Sequence, residues 1–318
     1  MRLFTGTYGI LLLASALPLV FSGACGKDCK VNKTRYEWTD MVQGEARRAL
    51  IWTPSNSCIK APVLIYLHGR GGTAEDSEMR RKFHDLMPEA YVIYAEGTNF
   101  DNRPDGTFGW EPRFPHISTV CQKNKDIDYI LKLLAHLNRY DDINFERVGV
   151  CGHSSGGFFT LTLAALLPEK FRGFACLGAY ASYNAAPSLI DCTDTYVDGI
   201  DQGNASTQNQ GINPNPAPTF FILGKQENTI QPNAIVYNTD CTKFSYFQNS
   251  ILQICLKNES VLPDCAQANF MNTLQRQVFP AKHNNAAETQ VQIYDADHSW
   301  PDVANQWVTD YFKELLYH

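Results

Sequence analysis

The stretch Gly152-His153-Ser154-Ser155-Gly156-Gly157 constrains the fold of this chain more than any other. It follows a short apolar, β-prone run and precedes a run rich in Leu, Ala and Thr that ends at Pro168. A strand, a sharp turn and a helix with serine at the centre of Gly-x-Ser-x-Gly is typical of a nucleophile elbow. Such a turn strains the backbone of Ser154 and leaves no room for a Cβ at Gly152 or Gly156. The alternative is a glycine-rich connection without chemistry.

Length and composition favour one large globular domain. The 318 residues are 44% hydrophobic and 19% charged, and the chain shows neither an internal repeat nor a linker. We therefore expect a single domain at 25–318, after a signal peptide at 1–24. A net charge of −6 without any Lys/Arg run argues against nucleic acid as a partner, and nothing in the charge balance indicates binding to an anionic membrane.

The first 24 residues have the composition of an export signal. A positive charge at Arg2 precedes an apolar segment, 10–21, and small residues at Ser22 and Ala24 occupy the positions that a signal peptidase recognises. Cleavage after Ala24 predicts a secreted protein. A permanent anchor is one alternative, disfavoured by the short segment without a basic flank. A bacterial lipoprotein is another, suggested by Cys25 and disfavoured by Ser22.

The cysteines also suit an oxidising compartment. All ten lie after residue 24, and no Cys-x-x-Cys spacing indicates zinc. Cys151 and Cys176 lie in apolar runs and are predicted to be a buried free pair. The other eight are predicted to form up to four disulfides of open connectivity: Cys25, Cys29, Cys58, Cys121, Cys192, Cys241, Cys255 and Cys265. Three sequons are candidate glycosylation sites: Asn32, Asn204 and Asn258.

Hydrophobic patterning predicts the order of strands and helices. Residues 63–67 form a continuous apolar run, as expected for a central strand buried on both faces. Other predicted strands are 34–39, 46–53, 91–95, 147–151, 171–177, 219–224 and 290–294. Predicted helices are 75–86, 126–138, 158–167 and 303–316. Irregular stretches occupy 96–121 and 182–218, and an excursion with some helical character occupies 235–277. The alternation predicts an α/β fold with a mostly parallel central sheet, helices on both faces and loop or cap insertions.

A serine hydroxyl becomes a useful nucleophile when a base removes its proton and a third group orients that base. In this architecture the acid, and then the histidine, follow the serine along the chain. Among the later histidines, His318 is the last residue and His283 lies in a polar stretch, whereas His298 lies between the last strand and the last helix. His298 is therefore the predicted general base, with a purely turn-forming histidine as the alternative.

The acid is the weakest member of the predicted triad. Glu227 lies three residues beyond Gly224, where the strand after the elbow unit ends, and so falls at the same sheet edge as the serine. Glu227 is the predicted acid. The alternatives are Asp191, Asp194 or Asp240, with Glu227 then an ordinary exposed residue of a turn.

An attacked carbonyl needs two preorganised N–H donors for the oxyanion that forms on it. One predicted donor is the amide of Ser155, the residue after the nucleophile. The second is expected in the glycine-rich stretch 68–72 after the central strand, with Arg70 as the first choice and Gly71 as the alternative. A glycine-rich connector without chemistry is the other interpretation of this stretch.

These segments occur in one order and together resemble a known family. The strand ending in His68-Gly69, the elbow around Ser154, Gly224-Lys225-Gln226-Glu227 and His298-Ser299-Trp300-Pro301 are similar to those of secreted α/β hydrolases of the polyhydroxybutyrate-depolymerase-like and feruloyl esterase family. The resemblance covers roughly residues 47–307. It implies an α/β-hydrolase fold with Ser154 as nucleophile and His298 as base. The family usually has Asp after a His-Gly-Thr-type strand end, so Glu227 represents a substitution.

The resemblance implies a secreted serine carboxylic-ester hydrolase that acts on feruloyl, acetyl-xylan or aliphatic polyester groups without a metal or organic cofactor. The predicted substrate contacts are Trp110, His68 and Trp300, with Phe108 and Phe114 as further aromatic candidates. Covering the sheet edge is the alternative role of the loop aromatics. The expected state is an extracellular monomer. A secreted serine peptidase and a catalytically inactive binding protein of the same fold are the alternative functions.

Overall fold

The computed structural model describes residues 33–55, 60–99, 106–111, 124–180, 215–227, 246–261 and 276–317. Several predictions fall outside these residues: the signal peptide, seven of the ten cysteines, the sequons at Asn32 and Asn204, the aromatic candidate Phe114 and the alternative acids Asp191, Asp194 and Asp240. Within the described part of the chain, no helix is both long enough and apolar enough to span a membrane.

A sheet of nine strands forms the centre of the described structure. The strands are β1 (Arg35–Val42), β2 (Glu45–Trp52), β3 (Ala61–Leu67), β4 (Tyr91–Ala95), β5 (Ile143–His153), β6 (Gly173–Leu177), β7 (Thr219–Gly224), β8 (Gln277–Phe279) and β9 (Thr289–Tyr294). Their order in the sheet is β1-β2-β4-β3-β5-β6-β7-β9-β8. The strands from β4 to β9 in this order pair in parallel, and β1, β2 and β8 are added antiparallel at the edges.

Helices pack on both faces of the sheet. They are α1 (Ala74–Arg81), α2 (Phe83–Leu86), α3 (Lys125–Leu137), α4 (Ser155–Leu166), α5 (Tyr246–Lys257) and α6 (Val303–Tyr317). Because side chains alternate along a strand, Ile65 of β3 packs in one hydrophobic cluster with α3 and α4, whereas Tyr66 packs in another with α2 and α6. The predicted arrangement of a mostly parallel sheet between two helical layers is confirmed.

Most predicted elements are present, but some differ. The stretch 235–277, predicted to have only some helical character, contains the 12-residue helix α5. The predicted helix 75–86 divides into α1 and α2 at Lys82, whose φ of 49° is left-handed and ends the first helix. Helix α4 begins at Ser155 rather than at 158, since Gly156 and Gly157 continue the helix despite their low helix propensity. The short edge strand β8 was not predicted, because three residues carry too little periodicity to be recognised.

The described cysteines are free thiols in the core. Cys151 and Cys176 are free and buried as predicted, and they belong to two different hydrophobic clusters. Cys255, predicted to be one of the disulfide cysteines, is also free and buried, on α5. That prediction is wrong because Cys255 lies on the face of α5 that packs against the sheet.

The sequon at Asn258 is not accessible in the folded protein. The Asn258 side chain is fully buried, where its Oδ1 accepts from the N–H of Ala217 and its Nδ2 donates to Thr289 Oγ1. A glycan on Nδ2 would replace a hydrogen bond in the core and would have no space. The prediction of a glycosylation site is therefore wrong for Asn258.

Candidate active site

The Gly-x-Ser-x-Gly motif forms a tight turn between β5 and α4. Ser154 has φ 53° and ψ −117°, a conformation that a residue with a side chain rarely adopts. A Cβ at Gly152 would lie 2.2 Å from the Gly156 carbonyl oxygen, and a Cβ at Gly156 would lie 2.2 Å from the Leu67 carbonyl oxygen. The predicted need for glycine on both sides of Ser154 is confirmed. The turn presents the Ser154 hydroxyl at the start of α4.

His298 and Glu227 form a hydrogen-bonded pair near this turn. His298 lies between β9 and α6, and its Nδ1 is 2.5 Å from Oε2 of Glu227, which follows β7. The Glu227 side chain is fully buried and that of His298 is 15% exposed. A carboxylate oxygen accepts, so Nδ1 is the donor, which leaves Nε2 as the ring nitrogen that can accept a proton. This is the arrangement in which a buried acid orients a histidine base.

Gly178, directly after β6, joins this pair to the nucleophile. The N–H of Ser154 donates to the carbonyl of Leu177 at 2.8 Å. A Cβ at Gly178 would lie 2.9 Å from Cε1 and 3.0 Å from Nδ1 of His298. The His298–Glu227 pair therefore packs directly against the strand end to which Ser154 is bonded. All three predicted triad residues lie at the carboxyl ends of parallel strands, where open α/β sheets bind their ligands.

The glycine-rich stretch after β3 lies on the other side of Ser154. A Cβ at Gly69 would be 3.4 Å from Cβ of Ser154, so this loop contacts the nucleophile directly. The N–H of Gly71 donates to the carbonyl of Phe108 at 2.7 Å, and Gly71 is therefore not the second oxyanion donor. Arg70, the first choice, lies between these two glycines, and Ser155 opens α4.

Trp110 was predicted to contact substrate, and this prediction is wrong. The Trp110 side chain is fully buried, with its ring stacked on Phe159 at a centroid distance of 5.5 Å. Its Nε1 donates to the carbonyl of His68 at 2.9 Å, and its backbone N–H donates to Ser155 Oγ at 3.0 Å. Trp110 therefore supports the elbow and the glycine-rich stretch 68–72 from within the protein.

His68 and Trp300 are also buried rather than exposed to substrate. His68 is 2% exposed, its Nε2 accepts from the N–H of Gly97 at 2.9 Å, and its Nδ1 donates to the Gly69 carbonyl at 2.7 Å. Trp300 is 9% exposed and packs beneath the Arg81 guanidinium, 4.4 Å from its ring centroid. Both side chains serve packing, so the predicted substrate contacts are wrong. Phe108, the further candidate, keeps 39% of its surface exposed beside the glycine-rich stretch 68–72.

Sequence reasoning missed two residues of the site. Gly178 contacts the acid–base pair, and the sequence signal was a glycine directly after a predicted strand. His153 occupies the variable position before Ser154, and its Nε2 is 2.9 Å from the His298 carbonyl oxygen. No group of three or more His, Cys, Asp or Glu side chains within the described residues is arranged to hold a metal ion.

Comparison with known proteins gives distant sequence relatives. No family model matches the chain. A bifunctional acetylxylan esterase/xylanase from Neocallimastix patriciarum is 22% identical over 221 residues, 66% of this chain and 31% of that protein. Poly(3-hydroxyalkanoate) depolymerase C from Paucimonas lemoignei is 26% identical over 188 residues, 56% of this chain and 44% of that protein. The chain thus spans less than half the length of these relatives.

Solved structures show the fold. An S-formylglutathione hydrolase from Agrobacterium tumefaciens aligns with 89% of this chain and 96% of its own, with a TM-score of 0.52 and 14% identity. A second S-formylglutathione hydrolase, from Staphylococcus aureus, aligns with 90% of this chain and 100% of its own, with a TM-score of 0.50 and 14% identity. The chain has the α/β-hydrolase fold. The predicted fold class is confirmed, and the names of the relatives agree with the family resemblance of the sequence motifs.

Proposed function

We propose that this α/β hydrolase is a secreted serine carboxylic-ester hydrolase. The observation that carries the proposal is the strained Ser154 at the elbow, next to a histidine whose Nδ1 is bonded to a buried glutamate. A strained conformation, a buried carboxylate and a pair of close-packed glycines are each costly to maintain, and all three meet at one sheet edge. Such a cluster is expected where a nucleophile, a base and an acid act together.

The proposed mechanism assigns one role to each group. Ser154 Oγ attacks the ester carbonyl while His298 Nε2 accepts its proton, and Glu227 stabilises the imidazolium that forms. The amides of Ser155 and Arg70 hold the oxyanion, each worth on the order of 3 kcal/mol of barrier. His298 then protonates the leaving alcohol, and water releases the acid from Ser154. All protons move between these residues, the alcohol and water, so the reaction calls for no cofactor.

The proposed substrates are feruloyl or short aliphatic acyl esters of plant polysaccharide, or aliphatic polyesters. The names of the relatives, an acetylxylan esterase/xylanase and a poly(3-hydroxyalkanoate) depolymerase, support the acetyl and polyester classes. Phe108, exposed beside the glycine-rich stretch 68–72, is the described aromatic side chain that we propose contacts the acyl group. The export signal at 1–24 and the cysteine content support secretion of a mature chain that acts as a monomer.

The test is ester hydrolysis by the purified chain 25–318. Its turnover of p-nitrophenyl acetate, p-nitrophenyl butyrate and methyl ferulate is measured beside that of Ser154→Ala, with Ser55→Ala, a change at an exposed serine, as the matched control. We expect Ser154→Ala to abolish hydrolysis and Ser55→Ala to retain it. The ratio of the three rates separates feruloyl from short-acyl specificity. Hydrolysis that persists in Ser154→Ala, or a folded wild type without activity, would reject the proposal in favour of a peptidase or a binding protein.

A further inference from the structure

His153 connects the nucleophile elbow to the loop that carries the base. Its Nε2 lies 2.9 Å from the carbonyl oxygen of His298, across 145 residues of sequence. A carbonyl only accepts, so Nε2 carries the proton and donates it. The two imidazole rings pack with centroids 5.2 Å apart, and the Trp300 ring packs edge-on against His153 at 5.8 Å. One side chain thus combines a directed hydrogen bond with close packing on both neighbours.

The neutral form of His153 is the form that suits this position. Burial of the ring is the main cause that lowers the pKa of His153 to about 4, the nearby Arg81 charge acts in the same direction, and the hydrogen bond to the His298 carbonyl opposes them. His153 is therefore uncharged at neutral pH. Its Nε2–H donates a hydrogen bond to the loop that carries His298. It places no positive charge beside the imidazolium that forms on His298 during the proposed reaction.

Within the described ranges, the other hydrogen bonds of this loop are made by the neighbours of His298. Gln226 N–H donates to the Ala296 carbonyl at 2.9 Å, and the Tyr294 hydroxyl contacts the Asp297 carbonyl at 3.0 Å. Among the described residues, His153 is the side chain that bonds the His298 carbonyl. Glu227 sets the direction of the His298 ring, and His153 sets where its backbone lies relative to Ser154.

We propose that His153 is a positioning residue that ties the base loop, residues 295–300, to the nucleophile elbow, so that His298 Nε2 stays aligned with Ser154 Oγ. The effect on rate rests on the proposed function. A misplacement of about 1 Å between reacting groups can lower the rate by roughly 100-fold, and a hydrogen bond from the residue next to the nucleophile limits such a shift. Substrate binding does not depend on this alignment, so kcat rather than KM should respond.

The test compares His153→Phe, which keeps an aromatic ring without a donor, with His153→Gln, whose amide can still donate to the His298 carbonyl. We expect His153→Phe to lower kcat for p-nitrophenyl acetate by about 10- to 100-fold with little change in KM. We expect His153→Gln to recover most of the loss. His283→Phe, at an exposed loop histidine, is the control that should match wild type. Equal kcat in His153→Phe and wild type, or equally low kcat in both variants, would overturn the proposal.

A second measurement separates this proposal from the proposed function. The His298 Nδ1 proton, held between nitrogen and the Glu227 carboxylate, should give a downfield proton NMR signal that is absent in Glu227→Gln. We expect the signal to persist in His153→Gln and to shift or broaden in His153→Phe. An unchanged signal in His153→Phe would contradict positioning whether or not the protein hydrolyses esters. A changed signal in a protein without esterase activity would support positioning and reject only the chemistry.

Discussion

The strained backbone conformation of Ser154 holds its hydroxyl at the start of α4. Its φ of 53° belongs to a region that costs about 1 to 3 kcal/mol for a residue with a side chain. The surrounding contacts compensate for that cost: its N–H donates to the Leu177 carbonyl, and Gly152 and Gly156 pack backbone against backbone. The hydroxyl thereby stands at the first turn of α4, where unpaired helical N–H groups favour a developing negative charge.

Glu227→Gln tests the acid. A glutamine has nearly the same shape, but its amide cannot stabilise an imidazolium by charge, and its NH2 group opposes the Nδ1–H tautomer of His298. We expect kcat for p-nitrophenyl acetate to fall by roughly 10²- to 10⁴-fold with the fold retained. Circular dichroism checks the fold, and Glu146→Gln, at an exposed residue of β5, is the control. Full turnover in Glu227→Gln would move the role to Asp191, Asp194 or Asp240.

Gly178→Ala tests the packing of the acid–base pair. The φ of 59° disfavours alanine by about 1 kcal/mol, and the added Cβ would lie 2.9 Å from Cε1 of His298. Gly44→Ala is a matched control, since Gly44 has φ 82° but nothing within 4 Å of an added Cβ. We expect both variants to lose stability in urea unfolding, but only Gly178→Ala to lose kcat, by 10-fold or more. Similar kcat in the two variants would show that Gly178 does not hold His298.

The residues that sequence reasoning placed wrongly share one property. Trp110 is an aromatic residue of the long loop before the elbow, and His68 and Trp300 belong to the motif stretches, but none of these positions shows which way a side chain points. Whether a side chain points into the site or away from it depends on how distant segments pack. His68 points inward because its Nε2 meets the N–H of Gly97, at the end of the next strand. That contact is set by the register of β3 and β4, which no local pattern encodes.

At the scale of elements, the segment 106–111 holds the parts of the site together. Gly109 pairs with Thr98 in an isolated antiparallel bridge, and Phe108 accepts from the N–H of Gly71. Trp110 reaches both the carbonyl of His68 and the hydroxyl of Ser155. One short segment therefore contacts the loop after β3, the loop after β4 and the first residue of α4. We interpret it as the support that preorganises the glycine-rich stretch 68–72, the proposed source of an oxyanion donor.

Trp110→Phe tests this support. Phenylalanine can keep the stacking on Phe159 but leaves the buried carbonyl of His68 without its indole donor. An unsatisfied buried acceptor costs about 1 to 3 kcal/mol, so urea unfolding should show a loss of that size. We expect kcat to fall as well, because the glycine-rich stretch 68–72 is less firmly held. A variant as stable and as active as wild type would show that the indole hydrogen bond has no part in organising the site.

Strands that are continuous apolar runs followed from local patterns, whereas breaks between helices did not. The predicted bounds of β4 and β7 match the structure, since continuous apolar runs buried on both faces are unambiguous when turn residues flank them. The break at Lys82 was missed, because no glycine or proline marks it and the second segment packs on α6 through Phe83. Tertiary packing decides such breaks, so the order and type of elements were more predictable than their ends.

At the scale of the whole molecule, buried histidines link stability to pH. Burial lowers the pKa of His68, His84 and His136 below the ordinary value, and lowers that of His153 to about 4. Each of these residues binds a proton more readily in the unfolded chain than in the folded one. The charge on the folded protein therefore changes less than that on the unfolded protein as pH falls from 7 toward 4. Stability should rise with pH across this window.

We therefore expect the free energy of unfolding to fall steadily between about pH 6.5 and pH 4. For His153 alone, a pKa lowered from 6.5 to about 4 corresponds to a loss on the order of 3 kcal/mol across that window. Urea unfolding at intervals of half a pH unit measures the slope. In His153→Gln the slope should be shallower, because glutamine does not titrate. Glu75 and Asp85, whose pKa values are lowered by hydrogen bonds to Arg48 and Lys33, contribute their loss mainly below pH 4.5. A free energy of unfolding that stays constant or rises as the pH falls from 6.5 to 5 would show that these histidines are protonated in the folded protein.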